Sequence, residues 1–301
     1  MSSPKPEWIR AKLKPFSIQF RSTSRIVNTS GVATVCEEAH CPNIGECWSA
    51  GTATFMIMGE ICTRSCKFCA VKTAKAPPPL DPNEPERLAR AIQKLGLSYV
   101  VITSVDRDDL EDQGAEQFAR SIRLIRQLNP KTRIEVLIPD FRGKKELILK
   151  VANEMPDVFG HNLETTQRLT PIVRDRRATY EQSLKVLRLV KKAYPNMITK
   201  SGLMVGLGET KKELVKTMQD LRTIEVDILT IGQYLQPSRK HFPLQKYYTP
   251  SEFKELQQIG EKMGFKKIFA GSLVRSSYRA AEVFIEGLFK TNRSGTDNPK
   301  Q

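Results

Sequence analysis

The chain lacks any apolar run of about eighteen residues, the length a membrane-crossing helix needs. Met1 to Lys14 carries charges and prolines where an export signal needs an apolar centre. These absences remove a spanning helix and a secretory leader from the expectations, and a soluble cytoplasmic protein with no membrane partner is the result. Acidic residues are also scarce: 33 Asp and Glu stand against 48 Lys and Arg, for a formal charge of +15. Such an excess suits an acidic partner, nucleic acid being the generic one. Yet there is no RNA-recognition aromatic signature and no helix-turn-helix, and the basic residues are dispersed instead of gathered in one block. We therefore expect an acidic protein partner and no nucleic acid. The six cysteines could pair as disulfides, but a chain of this size without an export signal sits in reducing cytosol and is expected to keep thiols.

Those cysteines fall in two tight groups. Cys62-Thr63-Arg64-Ser65-Cys66-Lys67-Phe68-Cys69 spaces three thiols as C-x3-C-x2-C directly after the apolar run Thr54 to Met58. Three thiolates can hold three irons of a 4Fe–4S cluster and leave the fourth open, unlike the four-cysteine runs that close a ferredoxin cluster. An open iron implies chemistry at that iron. Upstream, Cys36-Glu37-Glu38-Ala39-His40-Cys41-Pro42-Asn43-Ile44-Gly45-Glu46-Cys47 spaces three more as C-x4-C-x5-C. Pro42, Asn43 and Gly45 make this a turn-rich loop able to wrap thiols around a compact object. Three cysteines with His40 would be a common zinc set. Adjacent residues rarely both reach one tetrahedral ion, and His40 abuts Cys41, so a second iron–sulfur cluster is the favoured reading.

At 301 residues with 40% hydrophobic content the chain can bury one large core. Residues 1 to 35 hold Lys5, Arg10, Lys12, Lys14, Arg21 and Arg25 against Glu7 alone, with little periodicity, and read as a short extension of one or two helical turns or as a solvated basic tail. From residue 51, strand-like runs alternate with amphipathic segments. The runs are Thr54 to Met58, Tyr99 to Ser104, Arg133 to Pro139, Val158 to Glu164, Thr199 to Gly206, Asp227 to Leu235 and Lys267 to Val274. The helical segments are Glu84 to Leu95, Glu116 to Leu128, Lys144 to Asn153, Tyr180 to Ala193, Lys211 to Leu221 and Pro250 to Met263. That alternation predicts an α/β fold, a partial (β/α)6-type TIM barrel with N-terminal and C-terminal extensions. Residues 1–50 are expected to form an extension carrying the upstream cysteine group, 51–288 the barrel, and 289–301 a disordered tail.

In such a fold catalytic residues gather at the carboxyl ends of the strands. The polar ends are Asp106 to Asp109, His161-Asn162-Leu163-Glu164-Thr165, Gly206-Leu207-Gly208-Glu209 and the stretch around Gln233. Asn162, Glu164, Gly206 and Glu209 are the candidate cofactor contacts among them, with Phe68 in the cysteine loop. Helix capping would explain polar residues at such ends equally well, with Thr210 before Lys211 as an example. His161 reads as a structural histidine and is left out of catalysis. Near the C-terminus, Leu273-Val274-Arg275-Ser276-Ser277-Tyr278 follows a strand, and alone its serine pair reads as an N-cap.

The C-x3-C-x2-C spacing with Phe68 before the last cysteine resembles the radical S-adenosylmethionine (SAM) enzymes. The two cysteine groups, Val105 to Leu110, His161 to Thr165, Gly202 to Glu209 and Arg275 to Tyr278, in that collinear order, resemble one family within them, the lipoyl synthases. The resemblance implies a first cluster on Cys62, Cys66 and Cys69 that, with SAM, generates a 5'-deoxyadenosyl radical. It implies a second cluster on Cys36, Cys41 and Cys47 that donates sulfur, with Ser277 as its fourth ligand and Ser276 as the neighbouring alternative. Cys62, Cys66, Cys69 and Ser277 would then be the catalytic residues, with two 4Fe–4S clusters and SAM as cofactors. The implied reaction puts two sulfurs, at C6 and C8, into an octanoyl group on a lipoyl carrier domain. Such domains belong to 2-oxoacid dehydrogenase E2 and to the glycine cleavage H protein. The implied electron donor is a ferredoxin or flavodoxin. Alkyl carbons offer no acidic proton, leaving group or carbonyl, which closes acid–base and nucleophilic routes and leaves hydrogen abstraction.

Two other classes compete. A tRNA methylthiotransferase pairs a radical cluster with an auxiliary one and suits the basic charge, but no appended RNA-binding domain is expected here and the serine-containing end argues against it. A non-enzymatic protein with two zinc or iron–sulfur knots would account for six cysteines and leave the polar strand ends unexplained.

Overall fold

A computed structural model describes residues 5–9, 17–39, 41–49 and 53–277. The C-terminal tail, Tyr278 and His40 lie outside the described residues. The strands are β1 (Ala33–Thr34), β2 (Thr54–Ile57), β3 (Ile61–Cys62), β4 (Lys72–Thr73), β5 (Tyr99–Ser104), β6 (Arg133–Leu137), β7 (Val158–Gly160), β8 (Ile198–Val205), β9 (Ile228–Gln233) and β10 (Lys267–Gly271). The helices are α1 (Ile18–Ser30), α2 (Val35–Glu38), α3 (Ile44–Ser49), α4 (Glu84–Leu95), α5 (Ala115–Leu128), α6 (Lys145–Ala152), α7 (Thr170–Val173), α8 (Tyr180–Ala193), α9 (Lys211–Thr223) and α10 (Pro250–Lys262).

One sheet runs in the order β1-β2-β5-β6-β7-β8-β9-β10. From β2 to β10 every neighbour is parallel, and only β1 is antiparallel, against β2. Strand-then-helix units recur as β2-α4, β5-α5, β6-α6, β7-α8, β8-α9 and β9-α10, and β10 ends the series. This agrees with the six-unit partial barrel expected from the alternating pattern. Parallel strands covered on both faces must be apolar on both, and Val100, Val101 and Ile102 of β5 are all buried. Helix starts are specified locally. Thr210 and Thr249 each close a capping box, with Glu213 and Glu252, and Pro250 occupies the first turn of α10.

At the amino ends of β8 and β9, Asp227 accepts from Thr199 N (2.8 Å) and Lys191 Nζ (2.5 Å) and pairs with Lys266 (2.8 Å). This end of the barrel carries stability, not chemistry. Side chains tie the N-terminal segments to the chain on either side of β10. Asn43 Nδ2 donates to Leu273 O (2.8 Å), Trp8 Nε1 to Tyr248 O (3.1 Å), and Ser272 Oγ to Trp8 O (2.9 Å).

Two local expectations need correcting. The extension is not a tail with a turn or two: α1 is a 13-residue helix capped by Ser17 and stopped by Gly31 at φ 62. Its inner face is Phe20, Thr23 and Val27, the threonine donating to Trp48 O at 3.1 Å. Threonine in the middle of that stripe weakened the apolar period. Likewise the upstream cysteine stretch is not only loop, since Cys36 lies on α2 and Cys47 on α3.

Candidate active site

β2 ends in a turn through Met58 (φ 70) and Gly59 (φ 81), whose backbone N–H groups donate to the Glu84 carboxylate at 2.8 and 3.2 Å. That turn delivers the chain into the C-x3-C-x2-C loop at the carboxyl end of the sheet. Neighbouring backbone holds the loop: Thr63 N donates to Asp106 O (2.9 Å), Lys67 N to Val173 O (2.8 Å) and Phe242 N to Lys67 O (2.8 Å). Phe68 packs against the cluster of Leu169, Val173, Leu207 and Tyr234.

All six cysteines are thiols outside any disulfide. Burial pushes Cys62 and Cys66 up to about 12 and raises Cys69, so these sulfurs resist ionising on their own. Backbone N–H groups nevertheless point at them. Arg64 N and Asp106 N reach Cys62 Sγ at 3.3 Å, and Asp175 N reaches Cys66 Sγ at 3.3 Å. Donors aimed at a sulfur stabilise thiolate, while burial forbids thiolate without a cation, and the two together suit ligands of a bound iron core. Among the described residues no three metal-ligating side chains close on a point the size of one ion. The thiols instead border a cavity of about 190 Å³, with Phe68, Asn162, Glu164 and Arg174 also in its wall. That geometry fits a cluster with a small molecule beside it better than a single zinc.

Under the loop lies a buried charge network that the sequence did not announce. Arg64 donates from Nε and Nη2 to Asp108 (2.7 and 2.9 Å) and from Nη1 and Nη2 to Asp140 (2.7 Å each), with Asp106 at 3.3 Å. Arg142 and Arg177 approach Asp108 from the solvent side. Burial works against charge on Asp108, but the Arg64 hydrogen bonds hold it down at about 2. Asp106 faces the cavity, and burial raises it to about 6 with Arg64 opposing.

Asn162 and Glu164 follow β7 into the cavity wall, as expected of a polar strand end. Glu164 takes the left-handed conformation (φ 68) and bridges to β8, its N–H donating to Gly202 O at 3.0 Å. Burial raises its carboxyl, with Arg174 opposing. His161 is structural on one side: Nδ1 donates to Ile138 O at 2.9 Å. Its Nε2 is buried without a partner beside the cavity, and burial depresses the ring to about 4, so it is a neutral acceptor. Arg174, missed in the sequence, donates from Nη1 to Leu163 O (3.3 Å) and Ser183 Oγ (2.8 Å) and keeps Nε buried with no protein partner. Its only sequence signal was position after a short apolar turn.

Gly206 and Glu209 lie outside this cavity wall and have another occupation. The Glu209 carboxylate accepts from Gly206 N (2.6 Å) and Leu207 N (2.9 Å). Gly206 has φ 104, and a Cβ there would meet Gln233 Nε2 at 2.3 Å. The pair shapes the end of β8.

In the upstream group, Cys36 is buried and Cys41 N donates to Cys36 O at 3.1 Å. Asn43, 2% exposed, ties this stretch to Leu273, just ahead of Arg275 and Ser277. Gly232 lets that segment cross β9, since a Cβ would stand 2.1 Å from Val274 O. Ser276 and Ser277 form a half-buried turn after β10, and Ser277 is the last of the described residues.

Among the described residues no helix is long and apolar enough to cross a membrane. The chain matches the Radical SAM superfamily over residues 56–221, which brings with it SAM and one 4Fe–4S cluster. In fold it is similar to methylornithine synthase (PylB), at 11% identity and TM-score 0.52 over 81% of this chain and 82% of that one. It is similar also to HydG, a maturase of the FeFe-hydrogenase, at 14% and 0.58 over 83% and 62%. In sequence it is 52% identical to the lipoyl synthase of Myxococcus xanthus over 96% of each chain. It is 52% identical to that of Pyrobaculum calidifontis over 95% of this chain and 98% of that one, and 50% identical to the mitochondrial enzyme of Branchiostoma floridae over 96% and 78%. Likeness of that extent over almost the full length shows that the chain belongs to the lipoyl synthases, the radical SAM sulfurtransferases.

Proposed function

We propose that this chain inserts two sulfur atoms, at C6 and C8, into an octanoyl group amide-linked to a lysine of a lipoyl carrier domain. The observation that supports this reading is the Asn43 to Leu273 bond, which ties the stretch between Cys41 and Cys47 to the segment leading into Arg275-Ser276-Ser277. In this reading residues 1–50 carry the loop of a sulfur-donating cluster held by Cys36, Cys41 and Cys47, with Ser277 as its fourth ligand, and 51–288 carry the barrel. The carriers are the E2 and H-protein domains, and the reductant is a ferredoxin or flavodoxin. Loaded with cluster and SAM, the site supplies reductive cleavage of the sulfonium to a hydrogen-abstracting radical, and the second cluster supplies sulfur.

The chain's own residues do the positioning. Cys62, Cys66 and Cys69 are the ligands, steadied by the backbone donors at their sulfurs. Arg174 and the neutral His161 line the cavity, and each keeps one buried polar atom, Nε and Nε2, without a protein partner. Asn162 and Glu164 add polar groups to the cavity wall, and Phe68 adds an apolar one backed by its own cluster.

Anaerobic reconstitution tests the reading. About eight irons per chain are expected, and replacing Cys62, Cys66 and Cys69 by Ala should leave about four. With dithionite and SAM, deoxyadenosine should form and lipoyl product should require an octanoylated carrier domain. Without a repair system one chain should yield at most about one lipoyl group, since a four-sulfide cluster is dismantled to supply two. Dependence on tRNA, or many turnovers in sulfide-free buffer, would overturn it.

A further inference from the structure

Three segments distant in sequence form one outer wall over the radical loop. They are 62–80, 165–180 and 235–249, and within them the only carboxylate is Asp175. That carboxylate is buried, bonded to Ser65 N at 3.0 Å and paired with Arg177. The wall is joined by Lys67 N to Val173 O (2.8 Å), Phe242 N to Lys67 O (2.8 Å) and Asp175 N to Cys66 Sγ (3.3 Å). His241 adds a latch: Nε2 donates to the Cys69 carbonyl at 3.0 Å, and Nδ1 meets Ser238 Oγ at 2.8 Å. Outward from it point Lys67, Arg176, Arg239 and Lys240, all exposed and none ion-paired among the described residues. Ile172, 40% exposed, lies on the same wall next to Val173.

We propose that this wall is the docking face for an acidic one-electron donor protein, an inference that rests on the functional reading above. Unpaired like charges on one surface favour a partner of opposite sign and steer its approach. The wall itself decides which acidic partner. Hydrogen bonds tie its segments together, and an electron needs only a thin layer, here the residues between exposed Lys67 and the thiols of Cys66 and Cys69, so charge and closeness to those thiols favour an electron donor. In the step served, the donor loses one electron and a sulfonium carbon–sulfur bond breaks. Methionine keeps the sulfur lone pair and the carbon keeps the single electron, so the three electrons balance.

The test compares two reductants on the reconstituted chain. Arg176→Glu, Arg239→Glu and Lys240→Glu are made singly and together, and iron content is checked in each. With reduced flavodoxin at about 0.05 M salt, deoxyadenosine formation by the combined variant should fall at least about tenfold, and flavodoxin binding by calorimetry should weaken in parallel. With dithionite the rate should stay within about twofold of the parent. Undiminished flavodoxin-driven turnover, or equal loss with both reductants, would overturn the proposal. So would loss of octanoyl-carrier binding with flavodoxin binding intact, which would make this the carrier's face. If the parent chain fails to cleave SAM with dithionite, the functional reading falls, while calorimetry still decides whether the face binds the donor.

Discussion

Arg64 and Asp140 are 76 residues apart in sequence and are joined by two hydrogen bonds of 2.7 Å, with neither side chain more than 3% exposed. The pair locks the cysteine loop to the turn after β6, and Asp106 and Asp108 complete a pocket of three carboxylates around one guanidinium.

Removing that cation should therefore hurt folding and metal retention together. Arg64→Ala leaves buried carboxylates uncompensated, a loss of about 3–5 kcal/mol for a broken buried pair. Arg64→Lys keeps the charge but cannot reach two carboxylates with a planar fork, so it should recover only part. Urea denaturation with iron counting reads both, and an unchanged midpoint for the alanine variant would discard the structural role.

Ser277 is either a ligand or a residue of a simple turn. As a turn residue, Ser277→Ala should change stability by no more than about 1 kcal/mol and leave sulfur transfer intact. As a ligand, its loss should spare deoxyadenosine formation and stop lipoyl formation. Ser277→Cys is sharper, because a soft thiolate should hold iron more tightly than a hard alkoxide. Normal iron with impaired lipoyl formation is the expected result; full lipoyl formation by the cysteine variant would refute the labile-ligand argument.

Asp227 predicts an acid-dependent component of stability. Burial raises its carboxyl, but the hydrogen bonds from Lys191 and Lys266 outweigh burial and hold it below the ordinary range. A depressed folded value means the unfolded chain binds the proton more readily, so the contribution is complete above about pH 4 and fades as pH falls through the folded value. Asp227→Asn should cost about 3 kcal/mol at neutral pH. The gap between variant and parent, read from urea midpoints, should narrow below about pH 4. A gap independent of pH would show that packing, and not ionisation, is what the aspartate contributes.

The polypeptide pattern alone determined the strand and helix alternation, both cysteine groups and the polar ends at Asn162 and Glu164. Those signals are local: thiols four and three positions apart must share a loop, and apolar residues recurring at three and four must share a helix face. Where the local signal thinned, as in α1 with Thr23 in its inner stripe, the pattern understated a 13-residue helix. The polar run at Gly206 to Glu209 was legible as a strand end, but that its carboxylate closes on its own backbone at 2.6 and 2.9 Å was not. Only the tertiary structure decided that Arg64 meets Asp140, that Arg174 and His161 share a cavity wall with the thiols, and that Asn43 reaches Leu273. Each of these depends on which strands lie side by side, and that arises from burying all the helices on one sheet at once. No spacing within a short stretch encodes it.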